Sequence, residues 1–147
     1  MAVSEAVAAA TRLGIDILRV TVDEGAPAGQ FSLSSSATGS ADTAAPGPDD
    51  VALILHTSGT TSRPKIVPWL QSNVAASAGN VGVSLALTGA DRCLNVMPLF
   101  HIHGLIAAVS ATLAAGGSVW CAPGFDALKF FAWMRDAQPT WYTAVPT

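Results

Sequence analysis

Residues 57–65 read Thr57-Ser58-Gly59-Thr60-Thr61-Ser62-Arg63-Pro64-Lys65, so five of the first six side chains carry a hydroxyl and a lysine closes the run. Hydroxyls and backbone N–H groups concentrated in this way make a concave donor surface that suits phosphate oxygens. Gly59 permits the positive φ that turns successive N–H groups inward. Pro64 stiffens the exit, and Lys65 supplies a point charge able to follow the β- and γ-phosphates of a nucleotide. The physics is that of a Walker loop, but the pattern is not, since no G-x-x-x-x-G-K-[ST] occurs in the chain. A plain polar turn is the other reading of this composition. A serine hydrolase using Ser58 is disfavoured, because no G-x-S-x-G elbow is present.

A second chemistry-bearing step is Met97-Pro98-Leu99-Phe100-His101-Ile102-His103-Gly104. A lone imidazole among apolar residues is commonly a satisfied structural group. Two histidines spaced two apart can also hold a metal, but no third ligand is evident, and no metal site is assigned.

The elements that must position these residues follow from periodicity and punctuation. Ser4–Leu13 reads as a helix with Ser4 at its N-cap and Gly14 at its end, followed by a strand over Ile15–Val22. Gly25–Asp50, rich in Ala, Ser, Gly, Pro and Thr, reads as a loop or linker and not as a folded unit. Val51–His56 is expected as a buried strand, Asn73–Leu87 as a helix with Gly79 and Gly82 allowing close packing, and Gly89–Asp91 as a turn. Arg92–Met97 is expected as a strand stopped by Pro98, Leu105–Ala115 as a helix ended by Gly116-Gly117, and Ser118–Ala122 as a strand. A further helix opens at Phe125-Asp126 with Asp126 as N-cap and Leu128, Phe131 and Met134 on one face. Pro139 breaks it before a strand over Thr140–Val145. From Val51 onward this is β-α-β-α-β-α-β, which predicts an α/β fold with a parallel sheet and crossover helices.

Half of the 147 residues are hydrophobic and only 12% are charged, against about 25% in an average soluble domain. So few charges imply surfaces that face other protein, as in an internal fragment of a larger chain. The strand at the C-terminal end, with no closing helix after it, gives the same expectation. The net charge of −3, with seven Lys and Arg residues and no basic run, gives no reason to expect nucleic acid. Leu105–Ala115, the longest apolar helix candidate, falls short of the ~20 residues a membrane span needs. Met1–Ala10 has no basic leader and contains Glu5, so no export signal is expected. Cys93 and Cys121 each lie in an apolar run and read as buried thiols in a reducing compartment.

The order T-S-G-T-T-x-x-P-K after an apolar strand resembles the signature loop of the adenylate-forming superfamily: acyl-CoA synthetases, peptide-synthetase adenylation domains and luciferases. The F-H-x-H-G step, Gly116-Gly117-Ser118-Val119 and the W-Y-T-A-V-P-T ending at Thr147 resemble further core segments of the superfamily, so the likeness runs from about Pro48 to Thr147. The branch it resembles most is that of oxalate–CoA ligase and the peroxisomal-type CoA synthetases. Two positions depart from the usual pattern. Ser62 stands where many relatives have Gly, and Ile66 follows the lysine where Gly is usual. A β-branched residue disfavours φ > 0 there; it either stiffens the loop's exit and slows its closure or sits in an extended conformation.

The resemblance implies an ATP-dependent acid–CoA ligase that forms an acyl-adenylate and then a thioester. ATP with Mg2+ and CoA would be co-substrates and a small carboxylic acid the substrate. Thr57, Ser58, Gly59, Thr60, Thr61 and Lys65 would hold the phosphates. His101 would act in catalysis, orienting the carboxylate in the acyl pocket, with His103 beside it. Residues 1–50 and 51–147 would belong to one large domain, and the adenine, ribose, Mg2+ and C-terminal-domain motifs would lie beyond Thr147. The missing remainder of the chain is then the main partner, and the fragment alone is expected to be inactive and poorly soluble. A cytoplasmic location is implied, with the peroxisome left open. The alternatives are a non-catalytic truncated binding fragment, a fatty acyl-AMP ligase or a peptide-synthetase adenylation domain. In the complete enzyme, Lys65→Ala is expected to weaken pyrophosphate-forming activity while AMP binding stays largely intact. Equal loss of ATP and AMP affinity in equilibrium titrations would remove Lys65 from the phosphate site.

Overall fold

The computed structural model describes residues 2–23, 25–27, 29–35, 44–57 and 64–145, and they fall into two units, residues 1–44 and 45–147. In the first unit, helix α1 spans Ala2–Leu13, with Glu5 in its first turn and Arg12 in its last, both signs suiting the helix dipole. It starts before Ser4, so Ser4 is not its cap. Gly14 ends it at φ 66, and the Ile15 N–H bonds back to Ala10 O at 2.9 Å. Strand β1 covers only Arg19–Thr21 and pairs antiparallel with β2, Ser32–Ser34. The expected linker therefore contains a strand. Ser32-Leu33-Ser34 carries almost no apolar signal of its own and is held by backbone pairing to β1.

The second unit begins with an antiparallel hairpin that periodicity did not predict. Strand β3, Val51–Thr57, pairs with β4, Lys65–Leu70, with Thr57 opposite Lys65, His56 opposite Ile66 and Ile54 opposite Pro68. Strand β3 is thus not the first strand of the parallel sheet, and it is not buried, since Val51 and Ile54 are more than half exposed. Pro68 argued against a strand. It is tolerated because this two-stranded ribbon is all edge.

Helix α2, Gln71–Ser84, starts two residues before its expected position. The Leu70 N–H donates to Asn73 Oδ1 at 3.1 Å and the Gln71 N–H to Asp50 O at 2.9 Å, which satisfies the first free donors. It stops early because Ala86 takes φ 53 while the Leu87 N–H returns to Gly82 O. Of the two glycines expected to allow close packing, Gly82 lies near Ala111 O, whereas Gly79 faces open space.

The parallel sheet has the order β6-β5-β7, formed by Arg92–Asn95 (β5), Ser118–Cys121 (β6) and Trp141–Thr143 (β7). Both pairings of β5 are parallel, so the expected α/β class holds. Between β5 and β6 the chain forms a π-helical segment, His103–Ser110, that continues as α3, Ala111–Ala114. Between β6 and β7 lies α4, Phe130–Ala137. Cys93, Leu94, Asn95 and Val96 are each at most 2% exposed and form the core with Ile106, Ala108, Ala111 and Ala137. Among the described residues no helix is long and apolar enough to cross a membrane.

Three expectations fail around α4 and the cysteines. Asp126 does not cap the helix. Its carboxylate accepts the N–H groups of Leu128 and Lys129 in the turn before it. Leu128 and Phe131 lie 96% and 78% exposed while Met134 is half-buried, so the expected face is not the packed one; Phe130, Trp133 and Ala137 turn inward instead, Phe130 against Tyr142 and Trp133 against Trp120. Cys121 is exposed, and only Cys93 is buried, where desolvation pushes its thiol up to about 11.

The amino-terminal edge of the sheet is tied by side chains. Thr140 Oγ1 donates to Asp91 Oδ1 at 2.8 Å, and the backbone and hydroxyl of Thr88 donate to Asp91 Oδ2 at 2.7 and 2.9 Å. The Arg92 N–H donates to Thr140 Oγ1, and its guanidinium reaches Ala137 O. Gly117 packs so closely on this corner that a Cβ would lie 2.6 Å from Asp91 O. The Thr140 hydroxyl first, then Thr88, hold the Asp91 carboxyl below the usual carboxylate range. A lowered folded-state value means that the ionised form is the stabilised one. Its contribution is complete above the unfolded value and lost as pH falls through the folded value. Asp91→Asn is therefore expected to melt below wild type at pH 7, with the gap closing in strong acid. Parallel melting curves from pH 7 to pH 2 check this, and a gap independent of pH would contradict it.

Candidate functional site

The exit of β5 is shaped by a buried polar side chain. Asn95 is 1% exposed, yet it sits in an apolar strand. Its Nδ2 donates to Met97 O and its Oδ1 accepts the Met97 N–H, both at 3.1 Å. This local ring satisfies the amide and bends the chain out of the ladder. The His101 N–H then donates to Pro98 O at 3.1 Å, and the Leu105 N–H to His101 O at 3.1 Å. Phe100 caps the turn at 85% exposure. It does not enter the core, because the turn has already left the sheet.

Gly104 fixes how closely the following segment returns. A Cβ there would lie 2.6 Å from Pro98 O and 3.0 Å from Met97 O, so any side chain would force the π-helical segment off the strand end. Together these constraints place His101 in a cleft of about 610 Å³, walled by Val96 and Pro98 after β5, Gly124 and Phe125 after β6, and Ala144 and Val145 after β7. The cleft thus lies outside the carboxyl ends of all three parallel strands, the usual ligand position in open α/β sheets.

The two histidines differ in role and are linked. The His103 N–H donates to His101 Nδ1 at 3.2 Å, and the His103 Nε2 lies 2.6 Å from Thr143 Oγ1. With Nδ1 an acceptor, a neutral His101 carries its proton on Nε2. His103 is half-buried and opens the π-helical segment.

At the hairpin, Thr57 and Lys65 face each other as the last paired residues before residues 58–64. Ser58, Gly59, Thr60 and Thr61 lie outside the described residues. Ile66 is extended within β4 and 66% exposed. Among the described residues no group of three or more His, Cys, Asp or Glu side chains could hold a metal ion. Two residues that sequence reading passed over, Asn95 and Thr143, take part in the geometry. An amide at the end of a mostly apolar strand could have marked the first, whereas the second was noted only as part of the W-Y-T-A-V-P-T ending.

Comparison with known proteins gives these features a context. The family of AMP-binding enzymes matches residues 3–147. An oxalate–CoA ligase from Arabidopsis thaliana is 51% identical over 102 residues, covering 68% of this chain and 20% of that protein. The probable CoA ligase CCL9 of Humulus lupulus is 43% identical over 145 residues, covering 95% of this chain and 28% of that protein. The chain therefore spans between a fifth and three tenths of the length of these relatives. The structure of an o-succinylbenzoate coenzyme A synthetase from Bacillus subtilis in complex with AMP superposes with a TM-score of 0.62 at 31% identity, over 67% of this chain and 26% of that one.

Replacing Asn95 by Ala would leave the Met97 N–H and O without partners. A stability loss of about 1–3 kcal/mol is expected for one buried polar group left unsatisfied. Urea unfolding of the full-length protein measures it, and an unchanged midpoint would show that the amide ring does not hold the strand exit.

Proposed function

Because the chain belongs to the family of AMP-binding enzymes, we propose that the protein it is part of is an acid–CoA ligase working in two half-reactions. A substrate carboxylate oxygen attacks the α-phosphorus of ATP, the bond to the β-phosphate breaks, and pyrophosphate leaves an acyl-adenylate. The CoA thiolate then attacks the acyl carbon and AMP departs. The observation that carries this reading is the position of His101 in the cleft beyond the three parallel strands.

His101 offers Nε2 to the carboxylate, orienting it and offsetting its repulsion from phosphate. His103 stands beside it on the acid side. Thr57, Ser58, Gly59, Thr60, Thr61 and Lys65 hold the β- and γ-phosphates, with the cationic Lys65 set opposite Thr57 at the hairpin end. ATP would carry Mg2+ as its counter-ion, since no cluster of ligating side chains among the described residues would hold the metal. Residues 1–50 and 51–147 are parts of one nucleotide-handling domain, and a cytoplasmic location accords with two cysteines that form no disulfide.

The substrate class we favour is a small acid with a second acidic group, oxalate first. Oxalate and o-succinylbenzoate, the acids named for two of the similar proteins, each bear two carboxylates.

ATP–pyrophosphate exchange by the full-length protein across a panel of mono- and dicarboxylic acids tests the reading. The short diacids are expected to support exchange best. His101→Ala is expected to slow adenylate formation by about 10²-fold, the scale of losing one positioned polar group, with less effect on thioester formation from preformed acyl-adenylate. Exchange with no acid would overturn the ligase reading, and an unchanged adenylation rate would remove His101 from the site.

A further inference from the structure

We infer that Thr143 is a positioning residue: its hydroxyl, acting through His103, sets the orientation and tautomer of His101 in the cleft. The inference rests on the ligase reading for its catalytic consequence, but its geometry stands on contacts within this chain. Thr143 ends β7 and immediately precedes Ala144 and Val145, which wall the cleft. Its Oγ1 lies 2.6 Å from His103 Nε2, across 40 residues of sequence. The backbone N–H of the same His103 donates to His101 Nδ1 at 3.2 Å. One residue is therefore gripped at its ring by β7 while its backbone grips the ring of His101.

Slack in this chain of contacts is removed from the other side. Gly104, next to His103, lies against Pro98 O and Met97 O with no room for a Cβ. The start of the π-helical segment cannot drift toward β5, and the Thr143 hydroxyl keeps it from swinging away from β7. The bond to Nδ1 leaves the proton of a neutral His101 on Nε2, so that the cleft meets a donor. Without the anchor at Thr143, the His103 backbone is free to shift, His101 loses its Nδ1 bond, and the other tautomer and other rotamers become accessible. The Thr143 hydroxyl bonds to the His103 ring, and it acts on His101 only through that residue.

The test uses the full-length protein and two variants. Thr143→Val keeps the β-branched shape and removes the hydroxyl; Thr143→Ser keeps the hydroxyl. Thr143→Val is expected to lower kcat for adenylate formation by about 10-fold, within the range that small misplacements of a reacting group produce, with KM for ATP unchanged. Thr143→Ser is expected to restore the rate to within about twofold of wild type, on the same scale. On a His101→Ala background, Thr143→Val should cost nothing further, since the two act as one unit. Nitrogen-15 spectra of the imidazoles, with His101→Gln for assignment, should show the unprotonated Nδ1 of His101 in wild type and Thr143→Ser, and a tautomer mixture in Thr143→Val. An unchanged tautomer in Thr143→Val, failure of Thr143→Ser to recover it, or additive losses with His101→Ala would overturn the inference. If no acid supports turnover, the ligase reading falls, and the nitrogen spectra alone decide the positioning role.

Discussion

Burial of the last three residues of β5, Cys93 to Asn95, is the constraint on which the rest of residues 45–147 depends. Cys93 to Val96 are almost fully removed from solvent between β6 and β7. Parallel neighbours on both sides satisfy the backbone of β5, so its two ends are the only places where the chain can turn polar groups to other uses. At one end, Asp91, Arg92 and Thr140 lock the sheet. At the other, Asn95 closes on Met97 and sends the chain into the turn that carries His101. The cleft is a consequence of how a buried strand has to leave its sheet.

The closeness of packing at this exit follows from residue size. Ala108 and Ala111 are fully buried, and Gly104 and Gly117 occupy points where a Cβ would collide with carbonyl oxygens. Small side chains bring backbone near backbone, which limits how far the segment bearing His103 can move. Large apolar side chains such as Leu128 and Phe131 lie outside this core and remain exposed. That distribution accords with the low share of charged residues, because much of the apolar content is not spent on the core of these residues.

Sequence reading was most successful where apolar runs end at strong punctuation. The strands β5 and β6 and the helix ending at Gly116 were legible because Pro98 and the Gly116-Gly117 pair bracket them. The family likeness carried by T-S-G-T-T-x-x-P-K and the F-H-x-H-G step was legible because few residue types recur in that order, and the family match bears that likeness out. Strand β4 was not legible: Pro68 in Lys-Ile-Val-Pro-Trp-Leu signals a break, and only pairing to β3 makes it a strand. Strand β2 failed for the same reason. The exposure of Leu128, Phe131, Phe100 and Cys121 could not be read because hydrophobicity marks a tendency to be covered and does not say by what. Thr143 stands in the W-Y-T-A-V-P-T ending, but its bond to His103 was not legible because that partner lies 40 residues away.

The hairpin separates two kinds of sequence drift. Its register is continuous from Leu53 to Trp69 through Thr57 and Lys65, and the irregularity sits at the far end, between Val51 and Leu53. Because strand side chains alternate with a period of two, losing a single residue between Ile66 and Leu70 would either transfer Lys65 to the opposite face or slide the slip into that irregularity. A residue gained within 58–64 leaves the pairing of Thr57 with Lys65 intact. The ladder thus constrains the spacing from Lys65 to the helix that follows, while the connection itself is held by the chemistry of its own residues.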